Sequence, residues 1–506
     1  MEKNIKKRIS VIGTLTAVAF AMISIRLCIV ATSTSFKTLA NNQQTKTFTV
    51  AVRYADIYDK DFKPLIYTEN ESLAVIPVGD NIQLQKADNP PDGTVIFNVP
   101  KQLSENQIAQ HIIGYELEDE GITGLLGGYN TFLHSYRQEY SISYAVDAKG
   151  KIFAGLQGKP FVSEENNVGL VTTIDSKLQE ISETVAKKSL SKGAIVVMDV
   201  KSGEIRAMVS TPSYSSYDLI QAMGDENNPL INRALRPYSV GSCFKLLIAS
   251  EALNEGFGHF TYECTGVENV YSQEFHCHKL IGHGEQTMDE AIMNSCNTYF
   301  IKLAEQLDPK ALRDLAVKFG FGEYAELANG IFSDDGNLPT DKELEIPAEL
   351  ANFSFGQGKL LATPVQICKM TAVIANGGLD ISPTLVKGIT LDKKTIVGDN
   401  DGIKIVERVI DKNIAEKLQY AMKMTNYMNE NSNSKTQYTS TGVKTSTAQT
   451  GKKNADGDEL YNAWITGFFP TDNPQYAITV MYEDGGYGNS VTAPVLKEII
   501  DSYMRT

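Results

Sequence analysis

Residues 241 to 249 read Gly241-Ser242-Cys243-Phe244-Lys245-Leu246-Leu247-Ile248-Ala249, a serine and a lysine three positions apart at the head of an apolar run that ends near Gly256. This pattern predicts a buried helix opening at Ser242. Residues three apart on a helix share a face, so Ser242 and Lys245 are expected side by side. A lysine amine titrates near about 10.4 in water and cannot act as a base there. Burial against apolar neighbours disfavours the ammonium and lowers that value by several units, leaving an amine able to take the Ser242 proton. The helix N-terminus also offers a free backbone N–H to an oxyanion forming at Ser242. A serine with a base and an oxyanion donor is a nucleophile for a carbonyl.

A serine followed by a lysine at this spacing is weak on its own. It recurs at Ser189/Lys192 and at Ser432/Lys435, where a helix surface and a loop explain it. Ser242 differs in its company. Asn294-Ser295-Cys296-Asn297 lies in a stretch predicted helical from Met288 to Glu305, and Lys444-Thr445-Ser446-Thr447-Ala448-Gln449 reads as a strand with alternating polar positions. Around these, Leu170 to Ile174 predicts a strand that leads into a helix capped by Asp175. Ala194–Met198 and Glu204–Val209 flank a Lys201-Ser202-Gly203 turn as one hairpin, and Ala463–Phe469 and Tyr476–Tyr482 form a second about Pro470 to Pro474. A closing amphipathic helix fits Ala493 to Met504. Strands at both ends with helices between them give an α+β layer. Upstream, Thr47 to Val52 alternates as a strand, and Gly114 to Asn130 reads as glycine-rich turns.

Further segments carry a resemblance. Thr173-Ile174-Asp175 with Leu178-Gln179, Asn232-Arg233-Ala234 ahead of the nucleophile, His283-Gly284, Gly356-Gln357-Gly358, Thr363-Pro364-Val365-Gln366, Ala375-Asn376-Gly377-Gly378 and Ala463-Trp464-Ile465-Thr466-Gly467 stand in the order found in one family. Together with the three motifs, they resemble the class B penicillin-binding proteins over about residues 168 to 506. Before that the likeness is looser. Arg53 and Asp59 match a family segment in which Tyr54 replaces glycine and Lys60 arginine, and Gly121 with Gly124-Leu125-Leu126 lacks the usual glutamate.

The resemblance implies an α+β penicillin-recognising serine transpeptidase domain over residues 166–506, an antiparallel sheet flanked by helices with an all-helical part. It implies an N-terminal mixed pedestal domain over 32–165. It further implies that Ser242 attacks the penultimate D-alanine of a peptidoglycan stem peptide with Lys245 as base. Ser295 would relay a proton, Asn297 would hold the peptide amide, and Lys444, Thr445, Ser446 and Thr447 would bind substrate. The Thr447 N–H would complete an oxyanion hole, and β-lactam antibiotics would acylate the same serine. A D,D-carboxypeptidase, a β-lactam-hydrolysing or sensing relative, and a catalytically silent cell-wall scaffold are the alternatives. Ser446 stands where the family has glycine, so it is expected to narrow the site or to add a hydroxyl contact. Cys243, beside the nucleophile, is expected to pack as a small apolar residue.

The N-terminus sets location. Lys3, Lys6, Lys7 and Arg8 form a basic tail (residues 1–8) before an apolar stretch at 9–31 interrupted only by Arg26. About 20 apolar residues cross a bilayer, and basic residues on the near side place the N-terminus in the cytoplasm. A cleavable signal peptide is the alternative, but the stretch is long for one and no A-x-A site follows. A single-pass membrane protein with its remaining chain extracytoplasmic is therefore expected, and the family resemblance implies that it works beside a partner glycosyltransferase on the lipid-linked precursor polymer. The net charge of −14 leaves no basic excess to neutralise phosphates, which argues against a nucleic-acid surface.

The cysteines pose a separate question. Cys264 and Cys277 flank a loop that continues through His278 to His283, and three of the six histidines fall within it at 276 to 283. Thiolates and imidazoles in such a set fit a tetrahedral structural zinc held by Cys264, Cys277, His278 and His283. A Cys264–Cys277 disulfide suits an exported protein, and plain burial of both thiols is the third reading. No cofactor is needed for the chemistry itself.

Overall fold

The computed structural model describes residues 2–32, 45–91, 94–117, 120–153, 155–397 and 407–505. The chain divides into two compact units. One takes in residues 1–54, 69–102 and 137–166, the other 55–68, 103–136 and 167–506. The division is thus interleaved, whereas the sequence places a single boundary near 166. The junction expected at 32 adjoins residues 33–44, outside the described residues.

The first unit begins with a 31-residue helix, Glu2–Thr32. At 1.5 Å per residue it spans about 46 Å, and it is long and apolar enough to cross a membrane. Ile9, Ile12, Leu15, Phe20 and Leu27 are all exposed. The remainder of this unit is two small antiparallel sheets. One has the order Thr45–Tyr54, Arg137–Ala145, Lys159–Val162, and the other Asn81–Lys86, Glu69–Val78, Val95–Lys101. Phe48 and Val50 alternate with exposed Thr47 and Thr49 and share a core with Val75, Phe97, Val99, Ile142 and Tyr144.

The second unit is built on a five-stranded antiparallel sheet in the order Ile205–Thr211, Gly193–Asp199, Tyr476–Tyr482, Glu459–Phe469, Gly442–Lys453. Both predicted hairpins form. Pairing of Gly193–Asp199 with Tyr476–Tyr482 joins them, so strands from the two ends of the domain share one sheet. Ile195 and Val197 turn toward one face, where Leu178 and Val185 of helix Ser176–Ser189 and Leu496 and Ile499 of helix Gly488–Met504 cover them. Ala194, Val196 and Met198 turn the other way, into a core with Leu246, Ile248 and Val373. Cover on both faces explains why the 194–198 run is continuously apolar. Asp175 caps its helix by accepting a hydrogen bond from the Leu178 N–H at 3.1 Å.

Three local expectations are corrected. The stretch from Met288 to Glu305 is not one helix but two, Met288–Met293 and Asn297–Ala304. The 114–130 segment is not all turn: it holds a short helix, Gly124–Gly128, that buries Leu125 and Leu126. The closing helix starts at Gly488, ahead of Ala493, and carries Pro494 in its interior, where the ring has no N–H to donate to the carbonyl one turn earlier.

Candidate active site

Gly241–Phe244 forms a tight turn of 3-10 helix that continues into the helix Lys245–Asn254, whose residues 245–252 are all buried. Gly241 has φ +65, and a Cβ there would lie 2.4 Å from Ser446 Oγ, so only glycine fits directly before Ser242. Lys245 is fully buried and its Nζ sits 3.0 Å from Ser242 Oγ. The same Nζ donates to Ser295 O at 2.8 Å and to Asn297 Oδ1 at 2.6 Å, and it lies 3.3 Å from Ser295 Oγ. Burial first, and then the positive charge of Lys444, push the Lys245 pKa down to about 7. The amine and hydroxyl that the sequence pairs by spacing are thus brought together.

Ser295 meets both lysines, since Lys444 Nζ donates to Ser295 Oγ at 3.0 Å. Burial lowers the Lys444 pKa to about 8. Ser295 adopts a left-handed backbone, φ 51, and this breaks the helical stretch in two. Such a conformation costs a non-glycine residue about 1–3 kcal/mol and persists only where the surroundings enforce it. Asn297, two residues on, has its Oδ1 against Lys245 and donates from Nδ2 to His276 O at 3.1 Å.

The strand Gly442–Lys453 lies at the sheet edge beside the turn Gly241–Phe244. Its side chains alternate: Lys444, Ser446 and Ala448 are buried, while Thr445 and Thr447 are half-buried. Thr447 Oγ1 accepts from the Gly488 N–H at 3.3 Å. Ser446 is directed away from the face shared by the two threonines, and its hydroxyl donates to Val240 O at 2.8 Å. Of the two expectations for this residue, the hydroxyl contact is found, and the side chain is not placed to narrow a cleft on the Thr445 side. Cys243 is fully buried, its thiol is pushed up to about 12 by burial, and it packs as a small apolar residue.

A thiol cluster stands next to Ser295. Cys264, Cys277, His283 and Cys296 bring four ligand atoms within 4.8 Å of one another. Cys264 Sγ and Cys277 Sγ lie 3.6 and 3.5 Å from His283 Nδ1, and Cys277 Sγ lies 4.0 Å from Cys296 Sγ. A zinc with bonds of about 2.3 Å to sulfur and 2.0–2.1 Å to nitrogen at tetrahedral angles sets its ligands about 3.5–3.8 Å apart, so the donor set fits that ion. The expected ligand set is corrected at one position. His278 lies outside the group, and Cys296 completes it. Cys296 occupies the middle of the Ser295–Asn297 motif, and no spacing rule links it to Cys264 or Cys277. All six cysteines are unbridged, so the Cys264–Cys277 disulfide does not form here. Burial lowers the His283 pKa, which favours the neutral imidazole that a metal requires.

Comparison with known proteins bears on this arrangement. Residues 193–501, more than half of the chain, match the family described as "Penicillin binding protein transpeptidase domain". The chain is 28% identical over 411 residues to stage V sporulation protein D of Bacillus subtilis, covering 77% of this chain and 61% of the relative. It is 29% identical over 400 residues to the peptidoglycan D,D-transpeptidase MrdA of Haemophilus influenzae, covering 71% and 59%. The chain therefore spans about three fifths of the length of these curated relatives. A chain in a solved peptidoglycan synthase complex that coordinates polymerization and crosslinking shares the fold, with a TM-score of 0.73, 23% identity and 98% of each chain covered. The match to the family spans the strand and helix framework that carries Ser242, Lys245, Ser295 and Lys444, and the chain belongs to the penicillin-binding proteins of class B, with their transpeptidase domain.

Proposed function

We propose that the chain is a peptidoglycan D,D-transpeptidase that works through an acyl-enzyme on Ser242. The observation that carries this reading is the buried Lys245 amine, 3.0 Å from Ser242 Oγ and lowered to about 7. Lys245 Nζ takes the hydroxyl proton as Ser242 Oγ attacks the carbonyl of the penultimate D-alanine. The oxyanion forms against the backbone N–H groups of Ser242 and Thr447. Ser295, touching both lysines, passes the proton to the departing D-alanine amine. Lys444 with Thr445 and Thr447 binds the terminal carboxylate, for which a charged Lys444 is needed. An amine from a second stem then attacks the ester carbonyl, releasing Ser242 and forming the cross-link. A β-lactam acylates the same serine by opening its ring.

Location and partners follow. The helix Glu2–Thr32 anchors the chain, the basic residues in its first turns keep the N-terminus cytoplasmic, and the catalytic unit works outside the cell. A glycosyltransferase that polymerises the strands is the expected partner, as the similar fold in a synthase complex supports. The purified full chain in detergent, given uncrosslinked glycan strands ending in D-Ala-D-Ala, is expected to yield cross-linked muropeptide dimers. Release of D-alanine without dimers would replace this reading with that of a carboxypeptidase.

The thiol cluster extends the same reading. Cys264, Cys277, Cys296 and His283 hold a structural zinc whose role is to fix the turn that carries Ser295 and Asn297. Support comes from the ligand separations and from Cys296, which joins the two motif residues directly. Elemental analysis of the purified full chain is expected to give about one zinc per chain; less than about a tenth of an equivalent removes the assignment.

A further inference from the structure

Three contacts tie the third-motif region to the segment that leads into the nucleophile. Trp464 Nε1 donates to Ser239 O at 2.9 Å, Ser446 Oγ donates to Val240 O at 2.8 Å, and Cys243 Sγ lies 3.5 Å from Lys444 O. Trp464 pairs with Ser446 across the sheet. On the far side, Gly241 N–H donates to Gly356 O at 2.7 Å. The nucleophile turn is thus clasped between two backbones. Ser446 makes the clasp's closest side-chain contact, because its Oγ fills the space over Gly241 that any Cβ there would need. Both Ser446 and Val240 are buried, so their hydrogen bond does not compete with water and its loss leaves an unpaired carbonyl.

We propose that Ser446 is a positioning residue that sets the width of the oxyanion hole. The two donors assigned to that hole are the N–H groups of Ser242 and Thr447. Ser446 immediately precedes one of them, and its hydroxyl holds the residue two positions before the other. A hydrogen bond across this gap fixes the distance between strand and turn without entering the face lined by Thr445 and Thr447. The hydroxyl therefore acts on the rate of carbonyl attack and not on how a β-lactam or stem peptide first binds. Removing it lets the donors drift from the position where charge develops, and a misplacement of this kind costs about tenfold or more in rate. This inference rests on the acyl-enzyme reading above.

Acylation by benzylpenicillin, followed over a range of concentrations in the full-length protein and in Ser446→Ala, separates the saturating acylation rate from the dissociation constant of the first complex. The saturating rate is expected to fall about tenfold in Ser446→Ala, with the dissociation constant and the number of titratable sites unchanged. Ser446→Gly, which also lacks the hydroxyl, is expected to behave alike and serves if the alanine variant does not fold. An unchanged saturating rate, or a change confined to the dissociation constant, overturns the inference while leaving the acyl-enzyme reading standing. A wild-type protein that takes up no drug overturns both.

Discussion

Replacing Lys245 with methionine is expected to lower the saturating rate of β-lactam acylation by about 10²–10⁴-fold, the usual contribution of a positioned general base. Methionine fills an apolar site of similar length, and the change removes a buried amine whose charged form the surroundings already disfavour. Ser295 O and Asn297 Oδ1 lose a donor, which costs about 1–3 kcal/mol for each acceptor that stays unpaired. The pH dependence makes the test specific. Lys245 is lowered to about 7 and must be neutral to act as base, so acylation by wild type rises with pH through that value. Lys444 is lowered to about 8 and must stay charged to hold a carboxylate, so acylation falls again above it. In Lys245→Met the acidic limb is expected to vanish while the alkaline limb remains. Stopped-flow acylation across the neutral range reads both limbs, and an unaltered bell in the variant would assign the base elsewhere.

Local geometry made much of this site legible. Ser242 and Lys245 could be paired from sequence because three positions along a helix fix their proximity whatever the rest of the chain does. Asp175 was legible as a cap, and the hairpins as strands, for the same reason. Strand alternation alone also sorts Thr445 and Thr447 from Lys444 and Ser446, although which set faces the cleft depends on packing against Val240 and Gly241. The misses required contacts between distant parts of the chain. Residues 288–305 have helical character throughout, and nothing local announces the left-handed Ser295 that lets Lys245 and Lys444 converge on one hydroxyl. Cys296 became visible as a candidate ligand only when that turn set it beside Cys277. The assignment of 55–68 to the catalytic unit depends on Asp56–Tyr58 pairing in parallel with the strand at Gly169–Thr172, a register that propensity cannot supply.

Ser242→Ala is the second change with a large expected effect, a complete loss of covalent drug binding. Ser242 is the only hydroxyl against the Lys245 amine besides that of Ser295 among the described residues, and Ser295 Oγ is already engaged by Lys444. Cys243, next in sequence, offers no substitute, because its buried thiol is pushed up to about 12 and faces the backbone of Lys444. The alanine protein should still fold, since the lost side chain is small and no buried acceptor depends on it.

The most direct measurement is the intact mass of the full-length protein in detergent after incubation with benzylpenicillin, beside the Ser242→Ala protein treated alike. One adduct of the drug's mass per chain, persistent in wild type and absent from Ser242→Ala, is the expected result. An adduct of the same extent in Ser242→Ala, or drug consumed by wild type with no adduct, would contradict a stable acyl-enzyme on Ser242.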